Sequence, residues 1–369
     1  MQIGIDASRV AVEARTGTEH YTYELLGALA RRDRHNRYTL YCNRLPARLP
    51  PLGPNMALRA IPLGRLWTHA RLSAELLAHP PDVLFVPAHV VPLGTPLARR
   101  THTVVTIHDL GYLHFPEAHT RAQRLYLRLS TVWSARVAQR VIAISGATRD
   151  DLVAEARVPA SKIRVIHHGV APHFRPVEDP AALATVQAHY GIAGPYVLYV
   201  GTVQPRKNLV RLIEAFAAVA GEAAPTTQLV IAGKRGWLTE AIERRAAELG
   251  LAERVRFTGY VADADLPALI SGAQVFALPS LYEGFGMPVL EAMACGTPVL
   301  AANSSALPEV AGDAALLADP TSVPAISAAL ARLLAEPGLR AALRERGLRR
   351  AGEFTWERCA EETLKTLQG

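Results

Sequence analysis

The stretch SLYEGFGMPVLEAMACGTPVLAAN, residues 280–303, carries two glutamates, Glu283 and Glu291, with seven residues between them. It begins at the end of the apolar run QVFALPS, which is typical of a buried β-strand. Pro288 suits the first turn of a helix and Gly296 the position after a helix end, so PVLEAMAC is predicted to be helical. Glu283 is then expected in the loop after a strand, and Glu291 about one turn inside the helix.

The same alternation of strand and helix patterns runs along the whole chain. The strand candidates of the first half are QIGID, RYTLYC, DVLFVPA, HTVVTIHD, RVIAIS and KIRVIHH, and those of the second half are YVLYVG, QLVIAG, RVRFTG, QVFALPS, TPVLAA and AALLAD. Such alternation predicts parallel sheets covered by helices on both faces. With about six strands in each half, we expect an α/β protein of two doubly wound, Rossmann-like domains.

A linker is predicted at PHFRPVEDP, residues 172–180, which has three prolines and no hydrophobic period. The first domain is therefore expected over residues 1–172 and the second over 173–353. Ligands of doubly wound sheets bind beyond the carboxyl ends of the strands. A cleft between the two domains is the expected place for a site.

Composition excludes several classes of protein. The 369 residues are 50% hydrophobic, and the three cysteines lie far apart with no CxxC pair, so neither a structural zinc site nor a disulfide framework is indicated. The beginning, MQIGIDASRV, is typical of a first strand and not of a signal peptide. No apolar run reaches the roughly 18 residues of a membrane span. We expect a soluble, cytoplasmic protein.

Charge is distributed unevenly along the chain. The formal net charge is +7, with 22 Lys and Arg against 12 Asp and Glu in residues 1–172, and 18 against 21 in the remainder. A basic first half indicates an anionic partner, such as nucleic acid, a phospholipid surface or a phosphorylated substrate. No helix-turn-helix, zinc finger or RNP-like motif supports nucleic acid.

The opening stretch suits a ligand with hydroxyl groups and phosphates. The amino end of a helix offers unpaired N–H groups and partial positive charge, which can hold a phosphate or a sugar hydroxyl. Two flanking carboxylates can each accept hydrogen bonds from paired hydroxyls. A molecule with a sugar at one end, a ribose at the other and a diphosphate between them would match this arrangement, although an isolated pair of glutamates at this spacing is usually an ordinary strand–helix turn.

The string YEGFGMPVLEAMACGTPV, followed by LPE at 307–309, resembles the E-x7-E motif of the large retaining glycosyltransferase family 4. The resemblance covers nearly the whole chain and is strongest from 196 to 320. It implies the GT-B fold, in which two Rossmann-like domains face each other across a cleft, with the nucleotide-sugar donor on the second domain and the acceptor on the first. FTWERCAEETLKTL resembles the last helix of the family, so residues 354–369 are expected to return to the first domain.

The resemblance also implies roles for charged residues of the second half. VGTVQPRKNL resembles the phosphate-binding segment of the family, and Arg206 and Lys207 in it suit a departing diphosphate. Adjacent cations are more often simply solvated, but this context favours function. Gly201 would allow close backbone approach, Glu283 would bind hydroxyls of the donor sugar, and Glu291 would bind the ribose.

Further donor contacts are expected from backbone and uncharged side chains. Gly259 and Tyr260, in RVRFTGYV, are expected beside the nucleotide base, although a strand that ends in glycine is common. The other expected donor-binding residues surround the start of the helix: Gly284, Phe285, Gly286, Met287, Pro288 and Val289.

The first half carries fewer matching residues. IHDLGYLHFPE resembles the "HD" segment of the family and would place His108 near the donor sugar and the reacting carbon. RTGTEHYTYELL resembles the first strand–helix loop, where Gly17 would let the backbone approach the diphosphate. Many relatives carry Gly and then Arg where this chain has Glu19 and His20, so neither receives a role. His168 stands where the family often has Asn.

No metal and no cofactor are expected. Asp263 and Asp265 form a D-x-D pattern, which marks metal-dependent transferases of another fold. Here the pattern immediately precedes the helix LPALISGA, and Asp is a preferred residue at a helix N-cap, so we interpret it as a cap. Arg206 and Lys207 can offset the diphosphate charge, and a nucleotide-diphosphate sugar is the expected co-substrate.

A basic helical face is predicted in the first half, since Arg121, Arg124 and Arg128 fall on one side of a helix. A solvated face is the usual meaning of such a pattern. The alternative is a patch for anionic lipid or a lipid-diphosphate acceptor, with peripheral contact at the inner face of the membrane.

The expected function is metal-independent, retaining transfer of a hexose from a nucleotide-diphosphate sugar to an acceptor hydroxyl on a glycan or lipid-linked glycan in polysaccharide biosynthesis. HDLGYLHFPE and TYELL look most like mannosyltransferases that use GDP-mannose. An NAD-dependent dehydrogenase is an alternative, although GFGMPV has Val289 where G-x-G-x-x-G needs its third glycine. A sugar-nucleotide epimerase or phosphorylase and a non-catalytic nucleotide-sugar binder are the others.

Overall fold

The fold is described from a computed structural model, which covers residues 1–11, 17–116, 120–221, 225–237 and 239–369. The chain forms two compact units. The first unit contains Met1–Gly169 together with Phe354–Gly369, and the second contains Val170–Glu353.

The first unit is built on a parallel sheet of seven strands in the order β3-β2-β1-β4-β5-β6-β7. These strands are β1 Gln2–Asp6, β2 Arg37–Cys42, β3 Met56–Ala60, β4 Val83–Val86, β5 His102–Ile107, β6 Arg140–Ala143 and β7 Ile163–Val165. All four residues of β4 are buried, as expected for a central parallel strand with helices on both faces.

In the described part of the first unit, the α-helices are α1 Gly17–Arg32, α2 Ser73–Ala78, α3 Gly111–His114, α4 Arg121–Val137, α5 Gly146–Ala154 and α14 Trp356–Gln368. The last of them packs against α1. Arg31 pairs with Glu357 at 2.8 Å and Arg32 with Glu361 at 2.7 Å, and both pairs are exposed. The hydroxyl of Thr355 accepts the N–H of Arg358 and caps the start of α14.

The second unit has a parallel sheet of six strands in the order β10-β9-β8-β11-β12-β13. Its strands are β8 Tyr196–Val200, β9 Gln228–Ala232, β10 Val255–Gly259, β11 Val275–Leu278, β12 Val299–Ala302 and β13 Ala315–Ala318. Its helices are α6 Pro180–His189, α7 Leu209–Val219, α8 Glu240–Glu248, α9 Leu266–Ser271, α10 Met287–Ala294, α11 Leu307–Ala311, α12 Val323–Ala335 and α13 Pro337–Gly352.

Two parallel, Rossmann-like sheets confirm the predicted fold class, but the count of strands in the first half was wrong. Sequence patterns predicted about six strands there, and β3 was missed. Its sequence, MALRA, contains no β-branched or aromatic residue, and four of its five residues are only half-buried or exposed on an edge of the sheet. Tertiary pairing with β2, and not local preference, makes this segment a strand.

Candidate functional site

The strand order of the second unit reverses between β8 and β11, which are neighbours in the sheet. The strands that follow β8 in the chain, β9 and β10, lie on one side of it in the sheet, and β11 lies on its other side. In doubly wound sheets, ligands bind beyond the carboxyl ends of the strands at such a reversal. Gly201, Arg206 and Lys207 follow β8, and Glu283 follows β11, so the predicted donor residues lie at this point.

Asn208 holds the loop after β8 against the loop after β11, a role that the sequence analysis missed. Its φ of 61° lies in the left-handed region, which asparagine tolerates better than most residues. Its buried side-chain amide donates to the carbonyl oxygens of Pro279 at 2.9 Å and Pro320 at 2.7 Å. The short 3-10 turn Pro205–Lys207 that carries both cations is therefore fixed to the end of β11.

Arg206, Lys207 and Glu283 form one buried ionic cluster. Lys207 Nζ lies 2.5 Å from Glu283 Oε1, and Arg206 Nη1 lies 3.4 Å from Glu283 Oε2. The same guanidinium nitrogen donates to the carbonyl oxygen of Tyr282 at 2.7 Å, and the N–H of Leu281 donates to Arg206 O at 2.9 Å. Three residues predicted to act on one ligand are thus brought into direct contact.

Glu283 is ionised in this cluster. Burial alone would raise the pKa of its carboxyl, but the charges of Lys207 and Arg206 outweigh burial and lower the pKa below its ordinary value. Its backbone N–H donates to Ser305 Oγ at 2.9 Å, which helps to fix the residue. Two cations and one carboxylate leave the cluster with one net positive charge.

Helix α10 begins where the sequence predicted. Its N-cap residue, Gly286, has a φ of 104°, and a Cβ at that position would lie 2.5 Å from Leu307 Cδ2. Phe285 and Val289 are buried, whereas Met287 and Pro288 are partly exposed. The first turn of α10 therefore has accessible residues beside Gly284 and the ionic cluster.

Glu291 is a half-buried residue inside α10 whose pKa is raised to about 7. Burial is the main cause, and the nearby negative charge of Asp263 adds to it. Asp263 also accepts a hydrogen bond from Tyr260 OH at 3.2 Å. Tyr260 is 57% exposed, so its ring is available beside the carboxylates, as a residue facing a base would need to be.

Three glycines stand at the carboxyl ends of adjacent strands β8, β9 and β10. Gly201 N–H donates to Ala232 O at 2.9 Å, and Gly233 N–H donates to Gly259 O at 2.8 Å. All three have positive φ, and a Cβ on Gly233 would lie 1.9 Å from Gly201 O. Gly201 and Gly259 were predicted site residues; Gly233, which stands between them at the end of QLVIAG, was not predicted.

The predicted cap at Asp265 was wrong. Asp265 occupies the N-cap position of α9, but its side chain makes no capping hydrogen bond. Its carboxylate instead accepts the hydroxyl of Tyr190 at 2.7 Å, and the backbone at Asp265 has helical angles that do not suit a capping residue. Within the described ranges, no group of three or more His, Cys, Asp and Glu side chains is placed to hold a metal ion.

Gly17 and His108, the other predicted site residues, belong to the first unit. Gly17 is the first residue of α1, while Arg15, Thr16 and Glu117 of the motifs quoted above lie outside the described residues. His108 follows β5, and its Nε2 lies 2.8 Å from Pro87 O. A carbonyl can only accept, so Nε2 carries the proton and Nδ1 is left as the acceptor of a neutral ring.

Aromatic rings surround His108, and the sequence analysis did not predict this. The Tyr21 ring lies 4.9 Å from it edge-on, and His168 stacks on both Tyr21 and Trp356. Burial, helped by the neighbouring His89, lowers the pKa of His108 to about 3. His108 therefore stays neutral at physiological pH and cannot supply a positive charge.

The three predicted arginines of α4, Arg121, Arg124 and Arg128, are all exposed. On the same helix Leu125, Tyr126 and Leu129 are 54–60% exposed. By helical geometry these apolar residues form a stripe that adjoins the arginine stripe. Among the residues that the structure describes, no helix has the length and apolar character needed to cross a membrane.

Two family profiles match the chain, one on each half. "Glycosyltransferase Family 4" matches residues 15–174, and "Glycosyl transferases group 1" matches residues 192–350.

The structure is also similar to sucrose-phosphate synthase from Thermosynechococcus elongatus, with a TM-score of 0.79 and 24% identity over 100% of this chain and 98% of that chain. Anabaena HepE in complex with UDP and glucose has a TM-score of 0.76 and 21% identity over 100% and 99% of the two chains. At these identities the likeness concerns the fold, which is GT-B.

Curated relatives are closer in sequence. O-antigen chain mannosyltransferase B of Escherichia coli is 37% identical over 275 residues, which span 73% of this chain and 71% of that protein. A GDP-mannose-dependent α-(1-6)-phosphatidylinositol monomannoside mannosyltransferase of Mycolicibacterium smegmatis is 34% identical over 277 residues, 71% of this chain and 69% of that protein. The chain belongs to glycosyltransferase family 4.

Membership of this family decides among the enzyme classes considered above. The chain is a glycosyltransferase, not a dehydrogenase or an epimerase. The fold agrees with this conclusion, because GFGMPV lies between β11 and α10 and not at the first strand–helix turn of its sheet, where a dinucleotide motif belongs.

Proposed function

We propose that the enzyme transfers a mannosyl unit from GDP-mannose to a hydroxyl group of a glycan or lipid-linked glycan and retains the anomeric configuration. The observation that carries the proposal is the cluster of Arg206, Lys207 and Glu283 at the strand reversal of the second unit. Two relatives named as mannosyltransferases, one of them GDP-mannose-dependent, support the choice of sugar and of base.

The cations of the cluster would bind the diphosphate. As the bond between the anomeric carbon and the phosphate oxygen breaks, negative charge grows on that oxygen, and fixed positive groups stabilise it. Lys207 and Arg206 are mostly buried, at 10% and 21% exposure of their side chains, so their charges act with less screening than surface charges. This stabilisation requires no metal ion.

Glu283 would bind hydroxyls of the donor sugar, because its carboxylate is ionised and can accept further hydrogen bonds. Glu291 would bind the ribose, and Tyr260 and the backbone at Gly259 would contact the base. Backbone N–H groups at the start of α10, near Gly286 and Met287, would add fixed dipoles toward the phosphates.

In the proposed reaction, the acceptor hydroxyl attacks the anomeric carbon on the face from which the diphosphate departs. The bond from carbon to the acceptor oxygen forms while the bond to the phosphate oxygen breaks, and the phosphate takes the acceptor proton. No pair of carboxylates is required as acid and base, and Glu283 is not a nucleophile. His108, which is neutral and buried, would accept a hydrogen bond at Nδ1 near the donor sugar and would supply no charge.

Thermal-shift measurements with GDP, UDP and ADP, alone and as sugar conjugates, test the donor. GDP-mannose or GDP should raise the melting temperature most. A larger shift with a UDP conjugate would make the donor assignment wrong and leave the transferase class intact. Proton NMR of the product tests retention, since its new linkage should have the anomeric configuration of the donor. Donor binding without transfer to any acceptor would favour a non-catalytic binder.

We also propose that α4 contacts an anionic membrane surface at its periphery. Arginines attract anionic headgroups, and an adjoining apolar stripe can enter the interface between headgroups and acyl chains. Leu125, Tyr126 and Leu129 lie beside Arg121, Arg124 and Arg128 in this arrangement, and all six side chains are exposed. Such a contact would bring the enzyme to a lipid-linked acceptor.

A further inference from the structure

In the described part of the second unit, two residues other than glycine have a positive φ: Asn208 at 61° and Ser305 at 53°. Asn208 fixes the turn that carries both cations. Ser305 lies in the loop between β12 and α11 and contacts Glu283. Backbone strain of this kind is concentrated at functional sites and persists where surrounding contacts hold it.

The hydroxyl of Ser305 has a defined direction. It donates to Ser304 O at 2.8 Å, so its proton is used, and its lone pairs are left to accept the N–H of Glu283 at 2.9 Å. The next N–H along the loop, that of Ala306, donates to Glu283 O at the longer distance of 3.4 Å. Two consecutive residues of the loop after β12 therefore contact both backbone groups of Glu283.

The same loop also supports the start of α10. Leu307, the first residue of α11, is fully buried, and its Cδ2 would lie 2.5 Å from a Cβ at Gly286. Residues 304–307 thus pack against both ends of segment 283–286. The position of Glu283 depends on the loop after β12 as well as on its own loop.

Glycine would adopt the backbone conformation of Ser305 without strain. Around the same site the chain has glycines with positive φ at Gly201, Gly233, Gly259 and Gly286. At position 305 it keeps a side chain despite the strain. A glycine there would lose the hydrogen bond that the hydroxyl accepts from Glu283, and this bond explains the presence of serine.

We propose that Ser305 is a positioning residue, whose hydroxyl holds the backbone of Glu283 so that the carboxylate stays against the two cations and meets the hydroxyls of the donor sugar in a fixed place. The inference rests on the proposed function and adds to it a residue that orients Glu283 without contacting the donor. Within the described residues, the hydrogen bonds of Ser305 involve neither cation. Its effect should therefore fall on the sugar and not on the diphosphate.

Two substitutions separate this role from a purely structural one. Ser305→Gly removes the hydroxyl and relieves the strain, so the melting temperature should stay within about 3 °C of the native value. Cleavage of GDP-mannose without acceptor should nevertheless slow about fivefold or more in kcat, with the Kd of GDP within about twofold of native. Ser305→Thr keeps the hydroxyl but places a β-branched residue at positive φ. It should melt lower than the native chain and yet retain most of the cleavage rate.

A double-substitution cycle shows whether Ser305 acts through Glu283. When Glu283 is already changed to Ala, Ser305→Gly should slow cleavage by less than about twofold, because no carboxylate remains to be positioned. Arg157→Gly is the control for relief of strain, since Arg157 is exposed, belongs to the first unit and has a φ of 54°. It should cleave GDP-mannose at the native rate. Losses of equal size in both backgrounds would overturn the proposal.

Hydrogen exchange of the Glu283 amide in the ligand-free chain, followed by NMR, tests the positioning without any donor. Ser305→Gly should speed this exchange about fivefold or more, and Ser305→Thr and Arg157→Gly should leave it near the native rate. Native exchange or native cleavage in Ser305→Gly, or a Ser305→Thr variant no better than Ser305→Gly in either measurement, would overturn the inference. If the native chain neither binds nor cleaves GDP-mannose, the proposed function fails, and the exchange rates alone decide whether Ser305 holds Glu283.

Discussion

Lys207 Nζ lies 2.5 Å from Glu283 Oε1, so a cation from the loop after β8 and a carboxylate from the loop after β11 meet at the strand reversal of the second sheet. The contact keeps the lysine ammonium in place before any ligand arrives, and groups fixed in advance require little reorganisation when charge develops on a departing phosphate.

Removing either cation should slow catalysis while the variant keeps its native fold. Arg206→Ala and Lys207→Ala should each reduce turnover of GDP-mannose by more than tenfold, or about 1.4 kcal/mol in the activation barrier, because each removes charge that stabilises the departing diphosphate. Arg235→Ala is the matched control, since Arg235 follows the next strand and is 71% exposed. Steady-state kinetics with circular dichroism decides. Near-native turnover in both variants would contradict the assigned role.

Neutralising Glu283 should separate nucleotide binding from catalysis. Glu283→Gln removes the negative charge that pairs with both cations, so the net positive charge of the cluster rises. GDP should therefore bind about three- to tenfold more tightly. Transfer from GDP-mannose should nevertheless fall more than tenfold, because the amide replaces one accepting oxygen by a donor and its remaining oxygen is a weaker, uncharged acceptor for the sugar hydroxyls. Calorimetry with GDP and kinetics with GDP-mannose measure the two effects. Weaker binding of GDP would show that the carboxylate does not compete with the phosphates.

Donor affinity should rise with pH through the titration of Glu291. Its pKa of about 7 in the free protein means that roughly one-tenth of the group is ionised at pH 6 and nine-tenths at pH 8. Ribose hydroxyls donate to the ionised form, so donor binding favours that form. The Kd of GDP-mannose should therefore decrease up to about tenfold over this range. The donor phosphates are esterified at both ends and do not titrate there. Glu291→Gln should bind with a flat pH profile, and a native profile that is equally flat would argue against contact with the ribose.

A methyl group on Gly233 should disturb the proposed donor site by displacing the strand ends that support it. A Cβ there would lie 1.9 Å from the backbone oxygen of Gly201, so the ends of β8 and β9 would have to separate. We expect Gly233→Ala to lower the stability by about 2 kcal/mol or more and to abolish the thermal shift with GDP. Gly338→Ala, where no atom lies within 4 Å of the added Cβ, should change stability by less than about 1 kcal/mol. Equal melting temperatures for the two variants would contradict this account.

The α4 surface should bind anionic vesicles through both of its stripes. A variant with Arg121, Arg124 and Arg128 all changed to Ala should lose most of its sedimentation with vesicles that contain about one-third phosphatidylglycerol, and Leu125→Ser with Leu129→Ser should do the same. Changing the exposed Arg48, Arg99 and Arg100 of the same unit to Ala removes equal charge from other segments. If that control loses binding as strongly, general charge and not α4 explains the attraction.

Much of the fold could be predicted, because the secondary structure that the local sequence favours is the secondary structure found in the folded chain. The buried strands β4, β8, β9, β11 and β12 are short apolar runs bounded by turn residues, and parallel sheets select for such runs. Pro288 and the glycines on either side of it predicted where the helix lies. That prediction placed Glu283 after a strand and Glu291 inside the helix.

What could not be predicted depends on contacts between distant segments. Asn208 is unremarkable in sequence, and its importance comes from carbonyl groups 71 and 112 residues away. Strand β3 forms because it pairs with β2. Asp265 makes no capping hydrogen bond because its carboxylate accepts the hydroxyl of Tyr190, 75 residues before it.

A crystal structure of the full chain with GDP-mannose tests the central claim most directly. The diphosphate should lie within hydrogen-bonding distance of Arg206 and Lys207, with hydroxyls of the sugar on Glu283 and the ribose on Glu291. A donor bound elsewhere, with Lys207 and Glu283 still paired as they are now and no ligand atom near either, would contradict it.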